Sequence, residues 1–235
     1  MIPKKATEIQ TVSRDVYTDL SLMAALVENQ LSNAMSAFER RDPALARATV
    51  DGDRAVNEYD RKIERGAMDI LGSCSGNETA LREIVTAMKL AGDLERVGDL
   101  AKNIAKRTLV LSVDIGAYPS VGVSRMGRVT LRQFSDVLNA FSVRDLDAAL
   151  AVWHSDDEVD ELYNSVFREI IQAMMASPEN VTACTHLVFI AKNLERVGDH
   201  ATNIAEAIYF LMTGEPLDDE RPKGDLTSTT TLSLK

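Results

Sequence analysis

The stretch Leu94-Glu95-Arg96-Val97-Gly98-Asp99 returns unchanged as Leu194-Glu195-Arg196-Val197-Gly198-Asp199. Agreement spreads outward from it: Ala91, Ala101, Asn103, Ile104 and Ala105 are matched by Ala191, Ala201, Asn203, Ile204 and Ala205. A spacing of about 100 residues is far longer than a solenoid repeat and is the size of one small domain. Upstream, the corner Arg41-Asp42 recurs as Arg144-Asp145, and Phe38 pairs with Phe141. The chain therefore reads as one bundle written twice.

Apolar periodicity supplies the elements. Val16, Leu20, Met23, Leu26, Val27, Leu31, Met35 and Phe38 step by three and four, which predicts a long amphipathic helix from about Val12 to Arg40. Asp42-Pro43 ends it and starts the next, with Asp as N-cap and Pro at the first helical position. The second helix runs to Leu71, a turn follows over 72–77, and the third spans about Glu78 to Ser112. The connector is 116–120. A fourth helix is expected over Met126 to Val143, a fifth over about Asp145 to Met175, and a sixth that follows the turn at 176–179 and continues to about Met212. The fold class is all-α: two tandem, structurally similar three-helix bundles, residues 1–115 and 116–214, built from six long helices. Residues 215–235 are rich in Asp, Ser and Thr, lack periodicity, and read as a disordered tail.

Composition narrows the function classes. With 235 residues there is ample chain for a core, and 45% hydrophobic content with 5% aromatics suits helices. A formal charge of −10 argues against nucleic acid or an anionic membrane as the main partner. Cys74 and Cys184 sit at non-equivalent places in the two halves and form no CxxC, which reads as reduced thiols in a cytoplasmic protein. No apolar run is long enough to span a bilayer.

On a helix, Leu94, Val97, Ala101 and Ile104 share one face, as do Leu194, Val197, Ala201, Ile204 and Ile208. Glu95, Asp99 and Asn103, and likewise Glu195, Asp199 and Asn203, form rows expected on roughly the opposite side. Solvation alone explains acidic residues on such a face. Yet Lys102 has become Thr202 and Lys106 has become Glu206, while Glu, Asp and Asn are kept in both copies. Like charges one turn apart repel, so an attractive partner is wanted. It is either a basic side chain, such as Arg96 or Arg196, or a cation held through carboxylate oxygen. Asp156 and Asp160 make a further acidic pair, with Asp53 and Asn57 as counterparts. If the second and third helices of each half run antiparallel, these pairs converge with the rows.

The doubled pattern E-R-V-G-D-x-A-x-N-I-A resembles the PhoU family, the phosphate-transport accessory and regulatory proteins of bacteria. The resemblance covers the chain to about Lys223. It implies two similar three-helix bundles side by side and a multinuclear iron or zinc cluster on the acidic motifs, with Mg, Mn or Ni as other divalent ions. By motif match the candidate ligands are Glu95, Asp99, Glu195 and Asp199, followed by Asp53, Asp156 and Asp160; Asn57 departs from the acidic pair. It further implies an adaptor between the transporter ATPase PstB and the sensor kinase PhoR, a homodimer, and contact with the membrane only through partners. Negative regulation of phosphate uptake and of the starvation genes follows, with no catalysis. The alternatives are a metal-free helical adaptor and a di-iron carboxylate bundle. The latter needs Glu-x-x-His motifs, and His154, His186 and His200 have no Glu three positions before them. Cys184 is expected in the core, His186 at an ordinary polar position, and Trp153 as a core or interface anchor.

Overall fold

A computed structural model describes residues 4–72, 77–112, 120–218 and 221, with side chains from Arg14 onward. Among them are seven α-helices and a short 3₁₀ turn. The helices are α1 (Lys4–Arg40), α2 (Pro43–Leu71), α3 (Glu78–Leu111), α4 (Val121–Val143), α5 (Leu146–His154), α6 (Asp156–Ala176) and α7 (Val181–Thr213). The turn is Pro178–Asn180. The architecture is the expected all-α one. Helices α1, α2 and α3 pack on one another, α4, α5 and α6 gather around α7, and the halves join mainly through α3 against α7. Cys74, residues 113–119 with most of the 116–120 connector, residues 219–220 and residues 222–235 lie outside the described residues.

The duplicated corners are built alike. At the first, Arg41 takes a left-handed conformation with φ 52°, its N–H donating to Phe38 O and that of Asp42 to Ala37 O. At the second, Arg144 has φ 54°, with Arg144 N–H to Phe141 O and Asp145 N–H to Ala140 O. Each following aspartate caps its helix: Asp42 accepts from Ala44 and Leu45 N–H, and Asp145 from Ala148 N–H. The same backbone reversal thus folds each copy, although an L-residue in this conformation costs about 1–2 kcal/mol.

The predicted fifth helix is broken. Ser155 ends α5 and α6 restarts at Asp156. Gln133 of α4 donates its side-chain N–H to Ser155 O at 2.7 Å and to Ser155 Oγ at 3.1 Å, capturing groups at the break. Asp156, Asp157 and Glu158 then fill the first turn of α6, where negative charge is favoured by the helix dipole. In the first half Gly52 stands where Ser155 does, and α2 runs through unbroken. Periodicity could not reveal this, since the break leaves the spacing of apolar residues nearly intact.

The core stripes are largely as expected. Of the predicted α1 stripe, Val16, Leu20, Met23, Val27, Leu31, Met35 and Phe38 are buried, whereas Leu26 is 36% exposed. All the stripe residues named on α3 and α7 are buried. These two helices also bury Leu90, Leu100, Cys184 and Ile190, because each is enclosed on several sides by neighbours. The four methyl-sized or smaller residues Ala91, Ala101, Ala191 and Ala201 allow that close approach.

Candidate functional site: two clamped carboxylate pairs beside a cleft

Because α3 and α7 are surrounded, the acidic rows do not lie on the far side from the core as the wheel suggested. Glu195 is only 6% exposed, and Asp53, Asp156 and Asp160 are also buried. Glu95, Asp99 and Asp199 are half-buried. The rows run along the seams where α3 meets α2 and α7 meets α6.

In the first half, Lys102 of α3 donates to Asp53 Oδ2 at 2.6 Å and to Asp99 Oδ1 at 2.5 Å. Asn57 Nδ2 donates to the same Asp53 Oδ2 at 3.1 Å. The Lys102 side chain is mostly covered; burial opposes its charge, but the hydrogen bonds to the two carboxylates outweigh that and raise its pKa. Glu95 sits one turn away, beside Arg96 with Nε–Oε2 of 3.7 Å. Burial, and then repulsion from Asp99, push its carboxyl above the usual glutamate value.

In the second half the equivalent carboxylates are Asp156 and Asp199, and Lys102 is replaced by Thr202. Thr202 Oγ1 donates to Asp156 Oδ1 at 2.7 Å. The positive charge comes from Arg221, beyond the end of α7. Its Nε donates to Asp156 Oδ2 at 2.8 Å, and its Nη2 to Asp156 Oδ1 at 3.1 Å and Asp199 Oδ1 at 2.7 Å. Nη1 reaches Asn203 Oδ1 at 3.4 Å. Glu195 accepts from Lys192 at 2.7 Å.

The structure therefore brings Asp53 to Asp99 and Asp156 to Asp199, each pair around a side-chain cation. Among the described residues, no three His, Cys, Asp or Glu side chains gather into a set able to hold a metal ion. As arranged, the pairs fit an ammonium and a guanidinium and do not fit a multinuclear iron or zinc cluster. Of the two partners weighed from sequence, a basic side chain meets each pair, Lys102 in the first half and Arg221 in the second. Its identity was missed, however: the exchange of Lys102 for Thr202 reads as drift until Arg221 is placed beside it. Sequence also assigned Arg221 to a disordered tail. Here Leu217 packs on the core and Arg221 completes the site.

The motif glycines differ in their surroundings. A Cβ on Gly98 would lie 3.2 Å from Val56 Cγ1 and 3.4 Å from Gln30 Oε1, so α2 approaches closely there. On Gly198 it would meet Val159 at 3.4–3.6 Å, an ordinary contact.

Between the halves lies a cavity of about 790 Å³, lined in part by Lys89, Arg96, His200, Phe210, Pro216 and Leu217. His200 turns away from Asp199, as its position on the helix requires, and its Nδ1 is 2.8 Å from Asp93 Oδ1 across the interface. Asn203 Nδ2 donates to the same oxygen at 3.3 Å. Trp153 is buried and donates to Glu206 at 3.1 Å, Cys184 is buried as a free thiol, and His186 lies 3.4 Å from Arg107 Nη1. No helix of the described residues is long and apolar enough to cross a membrane.

Comparison with known proteins agrees with the duplication. The PhoU domain matches twice, over residues 20–108 and 123–208. The chain is 44% identical over 211 residues to a phosphate-specific transport system accessory protein PhoU homolog of Caulobacter vibrioides, covering 89% of this chain and 92% of that one. It is 30% identical over 200 residues to the accessory protein PhoU of Escherichia coli, covering 85% and 83%. The crystal structure of PhoU from Pseudomonas aeruginosa superposes with a TM-score of 0.85 at 31% identity, over 88% of this chain and 99% of that one. The phosphate transport system regulatory protein PhoU from Streptococcus pneumoniae gives 0.82 at 27% identity, over 89% and 99%. With two copies of the domain filling most of its length, this chain belongs to the PhoU family.

Proposed function

We propose that this chain is an accessory regulator of phosphate-specific transport, acting in the cytoplasm as an adaptor between the transporter ATPase PstB and the sensor kinase PhoR. The observation that carries the reading is 44% identity, over nearly the full length of both chains, to a protein named for that transport system. Two long-helix bundles joined through α3 and α7 offer extended surfaces for partners. The cleft between them holds polar contacts, such as His200 with Asp93, that depend on how the halves sit together. An adaptor works by binding one state of its partner better than another, so its action is set by differential affinity and needs no bond-making step. This is regulation of a transporter, not catalysis.

The test is removal of the gene from its own host, with phosphate uptake and a phosphate-starvation reporter measured in phosphate-replete medium. Both are expected to rise and to return to the parental level when the chain is restored. Capture of purified PstB and of the PhoR cytoplasmic region by the purified chain tests the adaptor assignment separately. An unchanged reporter and uptake would overturn the regulatory reading. Regulation without capture of either protein would overturn the choice of partners.

A further inference from the structure

The joint between the halves has two ends related by the repeat, and they are finished differently. Helices α3 and α7 run antiparallel there: Asp93 meets His200 toward one end, and Arg107 meets His186 toward the other. At the second end the Arg107 guanidinium lies 4.0 Å from the centre of the Phe189 ring and fills the space beside it. The repeat turns Arg107 into Ala207 and Phe189 into Lys89 at the first end, and there the cavity of about 790 Å³ opens instead. Gly92 holds the position of Lys192, and a Cβ on it would meet nothing within 4 Å. Glycine weakens a helix interior. No neighbour comes close enough to require it here, and the room it leaves belongs to the cavity.

The cavity walls carry three kinds of group. Phe210 offers an aromatic face, with Lys89 Nζ 5.4 Å from its ring centre. Lys89 and Arg96 are exposed cations on α3, separated by about 10 Å along the helix axis. Among the described residues Lys89 forms no ion pair, and Arg96 has only its neighbour Glu95 at 3.7 Å. Asp93 and Glu206 add acceptors. His200 and Asn203 both bind Asp93 Oδ1, and Trp153 donates to Glu206 Oε1. Asp93 Oδ2 and Glu206 Oε2 therefore accept no hydrogen bond among the described residues. A bare anion is a poor match, because these carboxylates repel it. What matches is a planar group with N–H donors, joined to an anion. At the filled end the planar donor is the Arg107 guanidinium; guanine contains the same guanidine unit, with N1–H and N2–H as parallel donors for one carboxylate.

We propose that the cavity between α3 and α7 binds a guanine nucleotide. The base stacks on Phe210 and donates its N1–H and N2–H to Glu206, one helical turn away on α7. Asp93 accepts from the ribose hydroxyls, and Lys89 and Arg96 hold the phosphates. Lys89 is tied only to the ring, a contact its flexible stem exchanges for a phosphate when the base takes that face. The cavity is of the size that small-molecule sites have, about 300–1,000 Å³. A ligand touching α3 and α7 together fixes how the two halves sit. This extends the regulatory reading to a small-molecule input, and the binding itself does not depend on PstB or PhoR.

The experiment uses the whole purified chain with EDTA present and two readouts, calorimetric titration with GDP and hydrogen–deuterium exchange with and without it. GDP is expected to bind and to slow exchange in peptides covering 88–96 and 200–210. ADP should bind about tenfold more weakly, because adenine offers the carboxylate one amino group and an acceptor nitrogen. Guanosine and inorganic phosphate, each lacking one half of the ligand, should bind more weakly still. Phe210→Leu should lose about tenfold in affinity through the stack. Ala207→Arg, which fills the space as Arg107 does, should abolish binding with urea unfolding showing a folded chain. Should that variant misfold, Lys89→Gln with Arg96→Gln, both at exposed positions, should cost at least about tenfold. No GDP binding up to about 1 mM, or protection elsewhere in the chain, would overturn the site. Parental affinity in a folded Ala207→Arg or in the double variant would do the same. ADP binding as tightly as GDP would overturn the choice of base, and phosphate or guanosine binding as tightly would overturn the two-part ligand. Since regulation is read in cells and nucleotide binding on the isolated chain, failure of one is distinct from failure of the other.

Discussion

The paired motif glycines should respond oppositely to the same substitution. Glycine inside a helix costs about 1 kcal/mol relative to alanine. At Gly198 the new methyl would meet Val159 carbons at 3.4, 3.5 and 3.6 Å. Each such contact adds about 0.1–0.2 kcal/mol of dispersion. Gly198→Ala is therefore expected to stabilise by about 1 kcal/mol, raising Tm by about 2–4 °C for a chain of this size. At Gly98 the methyl would sit 3.2 Å from Val56 Cγ1, and Val56 is buried and β-branched, so it has little freedom to turn aside. The methyl would also press on Gln30 Oε1, a buried oxygen without a hydrogen-bond partner among the described residues. Overpacking of this kind costs about 1–3 kcal/mol, which cancels or exceeds the helical gain. Urea unfolding of the two variants, with the slope checked for constancy, gives the difference directly. Equal shifts of the same sign, within about 0.3 kcal/mol, would refute the packing account and mean both glycines serve something else, such as a partner's backbone.

Other outcomes follow from single contacts. Gly214→Ala forces a side chain into the left-handed region and against Arg82 at 2.6–2.8 Å. The conformation alone should cost about 1–2 kcal/mol, seen as a lower Tm. Glu95→Gln should stabilise the chain at pH 7, because burial and Asp99 raise the folded-state pKa and make the ionised form unfavourable there. The advantage should close as pH falls through that raised pKa, where the parent's carboxyl takes a proton; a gain that persists unchanged in acid would contradict it. His186 has its pKa lowered by burial and by Arg107, so below its ordinary value of 6.5 the unfolded chain binds a proton that the folded chain resists. Parent stability should then fall below that pH more steeply than that of His186→Asn, as measured by urea midpoints across the range.

Much of the fold was legible because its signals are local. Asp42-Pro43 and Asp145 each announce a helix start, and the apolar steps from Val16 to Phe38 give the length and face of α1. The duplicated signature gave the architecture, since two copies of one pattern imply two copies of one packing. The break at Ser155 was not legible, because it depends on Gln133 reaching across from α4. The acidic rows were found, but their placement was not: a helical wheel assumes one core side, and α3 and α7 have neighbours on several. Arg221 was the least readable residue of all. It lies in a stretch without periodicity, and its meaning depends on Thr202 being unable to do what Lys102 does.

Met35 of α1 seats its Sδ and Cε against Gly127 of α4, where a Cβ would lie 2.2 Å from the methyl. By the repeat that pairs Phe38 with Phe141, the first-half counterpart of Gly127 is Ala24. A duplicated chain faces a problem of self-recognition during assembly, since each half is offered a copy of itself on every neighbouring molecule. If two first halves met through the same relation, Met35 would find the Ala24 methyl in place of the glycine hollow and would have to leave its rotamer. Tyr17 stacked on Phe141, and Arg144 paired with Glu83, are likewise contacts between unlike halves. Divergence at these few positions gives the halves separate identities, so that each joins its own neighbour in the chain instead of a stranger's twin.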